Sequence, residues 1–121
     1  MSYNFNNDTP IYLQIVELIT NDISSGKLQP GDKLPSVREY SSLFKVNPNT
    51  ICKALGILED NKLIYTERTN GKFVSNNSLI IDEFKNELFD QKVNEFLFDM
   101  SQMGYTKEEV LKKIKEIVLW V

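Results

Sequence analysis

The sequence predicts a mainly α-helical fold with one small β hairpin, and two observations carry this prediction. Apolar residues recur at steps of three and four along most of the chain, as they do in helices that bury one face. Between Leu34 and Val74, two short helical segments separated by a tight turn lead directly into two short strand-like segments. This order indicates an N-terminal winged helix-turn-helix, followed by a C-terminal hairpin of two helices.

The first helix is expected to begin just after Pro10, because the fixed φ angle of proline suits the start of a helix. Gly26 ends this helix after an apolar series with helical spacing, namely Tyr12, Ile15, Val16, Ile19 and Ile23. A Pro30-Gly31 turn follows. The chain is then expected to be extended at Leu34, because a residue before proline avoids helical backbone angles.

The second helix is predicted to begin at a capping box. The Ser36 hydroxyl and the Glu39 carboxylate satisfy free backbone N–H groups at the start of such a helix. Helical spacing then continues to about Phe44, where the chain turns.

The third helix carries the candidate DNA-reading surface. Asn47 is expected to cap it and Pro48 to occupy its first position, and the helix extends to about Asn61. Helical spacing turns Ile51, Ala54, Leu55 and Leu58 inward, and it leaves outward Asn49, Thr50 and Lys53. In a helix-turn-helix this second helix of the motif lies in the major groove, so the outward residues are free to contact bases and phosphates.

The wing is expected at two strands, residues 63–68 and 72–74. Asn70-Gly71 joins them, and this dipeptide is the strongest short signal for a tight hairpin turn. A polar Asn-Asn-Ser break follows the second strand. We therefore predict a winged domain at residues 1–75 and a helical extension at residues 76–121.

The extension is predicted to contain a long helix that Gly104 ends and a last helix that begins at a second capping box, Thr106 with Glu109. Its large side chains form a wide apolar stripe that two helices alone cannot bury, so we expect a second copy of the chain to cover it. The predicted dimer interface consists of Phe84, Leu88, Phe89, Val93, Phe96, Met100, Met103, Leu111, Ile114 and Val118.

The composition argues against catalysis and against bound cofactors. The chain has no histidine, which removes the commonest metal ligand and the commonest general base at neutral pH. Its one cysteine, Cys52, is expected to be a small buried filler beside the third helix. The sequence also has no phosphate-binding glycine loop and no metal-ligand spacing. We therefore expect that the protein is not an enzyme and that it binds no cofactor or metal. The sequence shows no signal peptide or membrane span, so a cytoplasmic protein is expected.

The net charge of −3 argues, by itself, against nucleic acid, but the charge is unevenly distributed. Through Ser75 eight Lys and Arg oppose eight Asp and Glu, whereas after it six oppose nine. A neutral winged domain with its cations on one face is able to bind DNA. The acidic total keeps a second hypothesis open, a winged-helix protein-interaction module that does not read DNA.

Five sequence blocks occur in an ordered series that is more specific than any short motif. They are Pro-Ile-Tyr-Leu-Gln-Ile at 10–15, Gly-Asp-Lys-Leu-Pro-Ser-Val-Arg-Glu at 31–39, Val-Asn-Pro-Asn-Thr-Ile at 46–51, Leu-Glu-Asp-Asn-Lys-Leu-Ile at 58–64 and Gly-Lys-Phe-Val at 71–74. Together they resemble the GntR family of bacterial transcription regulators, and most closely its YtrA-like members with a short C-terminal extension.

This resemblance implies a homodimer that binds double-stranded DNA at an inverted-repeat operator and represses an operon, such as one that encodes an ABC transporter. The resemblance does not decide whether the protein also binds a small-molecule effector. In the family, DNA contacts come from the starts of the second and third helices and from the wing tip. The matching positions are Ser36, Arg38, Asn47, Asn49, Thr50, Lys53, Thr69, Asn70, Gly71 and Lys72.

Overall fold

The computed structural model describes residues 5–120, so the outer limits of the two predicted domains lie outside the described range. Within it, helices and one hairpin follow in the predicted order. The elements are α1 (Ile11–Ser24), α2 (Val37–Phe44), α3 (Pro48–Asp60), β1 (Ile64–Glu67), β2 (Gly71–Val74), α4 (Ser78–Gln102) and α5 (Lys107–Leu119). The predicted mainly α fold with an N-terminal winged helix-turn-helix is confirmed.

Hydrogen bonds fix where the two helices of the motif begin. Ser36 Oγ accepts from the backbone N–H of Glu39 at 3.1 Å, and Glu39 Oε1 accepts from the N–H of Ser36 at 3.0 Å. Asn47 Oδ1 accepts from the N–H of Asn49 at 2.8 Å, and Pro48 holds the first helical position. Both predicted helix starts are confirmed.

The hairpin differs from the prediction at its turn. Ile64 pairs with Val74 and Glu67 pairs with Gly71, so the residues between the strands are 68–70. The predicted tight turn is present, but its predicted position at Asn70-Gly71 is wrong in one respect, because Gly71 is the first residue of β2. Its φ of 108° is a value that residues with a Cβ rarely adopt, which accounts for glycine at this position.

An extended segment before α2 lies along the free edge of β2. Lys33 forms an antiparallel bridge with Phe73, and the N–H of Leu34 donates to the carbonyl of Lys72 at 2.9 Å. The extended backbone at Leu34 was expected from the proline that follows it. The pairing with the wing was not expected, and it brings Lys33 to the side of the hairpin.

One hydrophobic core joins the first three helices, the hairpin and the first turns of α4. Its fully buried large side chains are Ile15, Ile19, Ile51, Leu55, Leu58, Leu63, Ile64 and Val74. Ile81 is buried in the same core, and Phe84 packs against it. The chain divides into compact units between residues 85 and 86, inside α4. The first, which we call the winged unit, therefore extends beyond the predicted boundary after Ser75.

The second unit, here called the tail unit, comprises residues 86–120. A second capping box begins α5, with the Thr106 side chain accepting from the N–H of Glu109 at 3.1 Å. Val110 is buried, whereas most other large apolar side chains of this unit are exposed. No helix within residues 5–120 is long and apolar enough to cross a membrane.

Candidate nucleic-acid interface

The start of α2 presents an accessible cation. Arg38 is the second residue of the helix and lies between the two members of the capping box, Ser36 and Glu39, and its side chain is exposed. Among the described residues, its guanidinium forms no hydrogen bond or ion pair. Arg38 is therefore accessible to a phosphate or a base edge, and its contact with DNA stays a prediction.

Ser36, by contrast, is committed to the capping box. Its hydroxyl and backbone N–H both bond to Glu39, and these hydrogen bonds are the main reason that the pKa of the Glu39 carboxyl lies below its ordinary value. The hydroxyl of Ser36 thus serves first to begin α2. Its predicted contact with DNA stays a prediction.

The start of α3 presents small polar groups and one lysine. Asn47 uses its side-chain oxygen as the cap, Asn49 is exposed and Thr50 is half-buried. The Lys53 ammonium lies 4.0 Å from the centroid of the Tyr12 ring on α1. This cation–π contact positions the lysine and leaves its charge unneutralised.

Cys52 does not have the environment that was predicted for it. Its thiol is exposed on α3. The expectation of a buried filler is wrong, because the buried face of α3 is formed by residues at other helical positions: Ile51, Ala54, Leu55 and Leu58. Within residues 5–120, no group of three or more His, Cys, Asp or Glu is arranged to hold a metal ion.

The predicted wing residues occupy two different settings. Thr69 and Asn70 are exposed in the loop between the strands, and the Asn70 amide donates to Glu67 Oε2 at 3.1 Å. Gly71 and Lys72 belong to β2. The Lys72 side chain is part of a polar cluster at the C-terminal end of α3, so the structure does not bring it to the loop.

We call this cluster the wing clasp, and its members are Glu59, Thr66 and Lys72. The Lys72 ammonium donates to Thr66 Oγ1 at 2.7 Å and lies 3.4 Å from Glu59 Oε2. The Thr66 hydroxyl donates in turn to Glu59 Oε1. The bond from Thr66, with Lys72 adding to it, lowers the pKa of the Glu59 carboxyl. The clasp ties the hairpin to α3 and pairs the charge of Lys72 internally.

Sequence reasoning missed Lys33 as a candidate. A Cβ placed on Gly71 would lie 3.2 Å from Lys33 Cε, so the lysine stem passes directly beside β2. The positive charge of Lys33 also contributes to the lowered pKa of Glu39 at the start of α2. Lys33 therefore lies close to both the wing and the second helix. No local signal reveals this, because the pairing of residues 31–34 with β2 depends on the tertiary fold.

A comparison with protein families identifies this arrangement. The model of the bacterial regulatory proteins of the gntR family matches residues 11–74, from the start of α1 to the end of the wing. The chain belongs to the GntR family.

Two similar proteins match this chain over most of their own length. This GntR-family chain is 36% identical over 110 residues to the HTH-type transcriptional repressor YtrA of Bacillus subtilis, covering 90% of this chain and 85% of that protein. It superposes with a TM-score of 0.82 and 38% identity on a GntR family transcriptional regulator from Listeria monocytogenes, covering 93% and 98% of the two chains. The YtrA-like resemblance is thereby confirmed, and the chain is a transcriptional regulator.

Part of the chain also resembles a protein whose structure is known in complex with DNA. AraR(DBD) in complex with operator ORX1 superposes with a TM-score of 0.56 and 32% identity, covering 62% of this chain and 95% of that chain. The shared region includes a fold that, in that protein, is seen bound to operator DNA.

In this GntR-family regulator, the tail unit exposes nearly all of the predicted interface residues. Leu88 and Met100 are half-buried, and the exposed members are Phe89, Val93, Phe96, Met103, Leu111, Ile114 and Val118. Phe84 packs against the winged core and is not part of the tail unit, so its predicted place in the dimer interface stays a prediction. The predicted interface set did not include two other exposed apolar side chains of the tail unit, Phe98 and Trp120, which are 63% and 88% exposed.

A groove of about 550 Å³ runs between α4 and α5 within the tail unit. Its apolar lining includes Phe96, Met100, Tyr105, Val110, Ile114 and Ile117, and charged side chains of α5 border it. The groove and the exposed interface candidates share Phe96 and Ile114.

Proposed function

We propose that this transcriptional regulator is a repressor that binds an inverted-repeat operator as a homodimer. The observation that carries the proposal is the exposed set Arg38, Asn49 and Lys53 at the starts of the two motif helices. A helix-turn-helix meets base edges and phosphates at these helix starts. Similarity to the repressor YtrA supports the direction of regulation.

The residues have different proposed roles. Arg38 and Asn49 contact the DNA directly, Thr50 does so with the exposed part of its side chain, and Lys53 attracts phosphate without reading sequence. Ser36 and Asn47 act through the helix starts that they cap. Thr69 and Asn70 reach the flanking groove from the wing, where Gly71 and Lys72 shape the strand that supports them.

Dimerisation is proposed through the tail unit, on the apolar side chains that it leaves exposed. Burial of apolar surface is the main favourable term in association, and two-fold pairing is the commonest solution for a self-complementary patch. A dimer also converts two modest half-site contacts into one stronger binding event. On the YtrA-like resemblance we further propose a cytoplasmic location and an operon that encodes an ABC transporter.

The test is selection of bound sequences from a random duplex library, followed by hydroxyl-radical footprinting. We expect enrichment of an inverted repeat with two protected half-sites, and an affinity that falls linearly on a log–log plot against salt. Arg38→Ala is expected to lose about 1–3 kcal/mol of specific binding if it contacts a base, with an unchanged circular dichroism spectrum.

Lys27→Ala is the matched control, because Lys27 is also an exposed cation of the winged unit but is not at a motif helix start or the wing. Its specific binding is expected to remain near that of the wild type. Failure to enrich any sequence would reject the repressor proposal and favour the protein-interaction module.

A further inference from the structure

We infer that Lys33, and not Lys72, supplies the lysine contact to DNA phosphate on the wing side of this regulator. The inference rests on the proposed function, because it assigns a residue to the same DNA surface. It differs from the sequence-based assignment, which included Lys72 and omitted Lys33.

The first step is that Lys72 is already engaged. Its ammonium has two partners in the wing clasp, Thr66 Oγ1 at 2.7 Å and Glu59 Oε2 at 3.4 Å, and its side chain is only 28% exposed. A phosphate would have to compete with a carboxylate for this ammonium. It would also leave the Glu59 carboxylate, which has accepted both the lysine and the Thr66 hydroxyl, without its cation.

The second step is that Lys33 is accessible and held near the surface in question. Its side chain is exposed, and among the described residues it forms no hydrogen bond or ion pair. Its backbone is fixed by the bridge to Phe73, and its stem passes beside Gly71, where the absence of a side chain leaves room for it.

The third step is the location of this charge relative to the other candidates. Lys33 stands three residues before Ser36, the N-cap of α2, and Arg38 is in the first turn of that helix. Lys33 is also bridged to Phe73 of β2. The Lys33 backbone therefore links the wing strand to the start of α2, which puts this lysine near both predicted contact regions. Position and charge thus favour Lys33 as a contact to the phosphate backbone, which needs a cation but no base-specific geometry.

Salt dependence provides the measurement, because each phosphate neutralised by a lysine releases counterions. One contact contributes about 0.9 to the slope of log K against log salt on duplex DNA. The experiment compares wild type with Lys33→Gln, Lys72→Gln and Lys27→Gln, each of which removes one positive charge. The probes are the duplex selected by the wild type and a scrambled duplex of the same length.

We expect Lys33→Gln to lower the slope by about 1 per bound chain on both probes, since a phosphate contact is independent of sequence. Lys33→Arg keeps the charge and is expected to keep the wild-type slope. Lys72→Gln is expected to keep that slope while lowering the thermal unfolding midpoint, because it opens the wing clasp. Lys27→Gln is expected to change neither quantity.

Three results would overturn the inference while leaving the proposed function intact. They are a wild-type slope for Lys33→Gln, a loss of slope for Lys72→Gln with none for Lys33→Gln, and equal losses for Lys33→Gln and Lys27→Gln. A wild type that binds neither duplex is a different outcome, since it rejects the proposed function and this inference with it.

Discussion

The winged unit and the tail unit use apolar residues in opposite ways. In the winged unit, Ile51 and Leu58 are fully buried, whereas in the tail unit Phe89 and Phe98 are 67% and 63% exposed. Burial stabilises by about 25 cal/mol for each Å² of apolar surface removed from water. The winged unit is thus stabilised by burial within one chain. The exposed apolar side chains of the tail unit would contribute such stabilisation only when another surface covers them.

The largest effect that tests this contrast is truncation of one leucine in each unit. Leu58→Ala removes a fully buried side chain and is expected to cost about 2–5 kcal/mol of unfolding free energy at any protein concentration. Leu111→Ala removes a side chain that is 53% exposed in the single chain, so its cost should be small in dilute solution and should rise with protein concentration.

Urea unfolding followed by circular dichroism, at two protein concentrations, measures both costs. A Leu111→Ala cost that is already large and does not depend on concentration would contradict the contrast. It would mean that the tail unit is stabilised within the chain.

A charge placed on the exposed tail surface tests the same contrast through DNA binding. Phe89→Glu is expected to shift the protein from dimer to monomer in sedimentation and to weaken operator binding by about 10²-fold, the lower limit of what linked binding sites gain. Helix content should remain that of the wild type, because Phe89 is exposed in the single chain. Asn86→Glu adds a charge at an exposed polar position of the same helix and serves as the control.

Dimeric Phe89→Glu would show that the interface lies elsewhere, and a monomer with wild-type operator affinity would show that pairing does not matter for DNA binding. Either result would reject the proposed role of the exposed tail surface in dimerisation and operator binding.

The parts that sequence predicted well are those with local causes. The Ser36, Asn47 and Thr106 caps depend on hydrogen bonds within a few residues of one another, so the sequence contains the whole interaction. The inward face of α3 follows in the same way from the 3.6-residue period. These local rules were sufficient to predict the helices and the order of helices and strands in the winged helix-turn-helix.

The parts that sequence did not predict depend on contacts distant along the chain. The pairing of Lys33 with β2 and the union of Glu59 with Lys72 join elements that no spacing rule relates. The hairpin turn failed for another reason, since Asn-Gly favours a two-residue turn but the register of β1 with β2 places Gly71 within the strand. The register of the two strands therefore overrode the local turn preference.

The smallest expected effect compares the two capping boxes, which have the same chemistry in different units. Ser36→Ala removes the cap of α2 and is expected to cost about 1 kcal/mol of stability, independent of protein concentration. Thr106→Ala removes the cap of α5 and should cost a similar amount. Because α5 belongs to the tail unit, this second cost should also appear as weaker dimerisation in sedimentation.

The contribution of the first capping box, Ser36 with Glu39, is expected to depend on pH. The folded-state pKa of Glu39 is lowered from 4.5 by its bonds to Ser36, so this carboxylate contributes stability above its unfolded pKa and loses it as the pH falls through the lower folded value. The stability difference between wild type and Glu39→Gln should therefore be constant near neutral pH and should shrink below about pH 4.5. A pH-independent difference in urea unfolding would mean that the charge of Glu39 adds nothing and that this box acts through geometry alone.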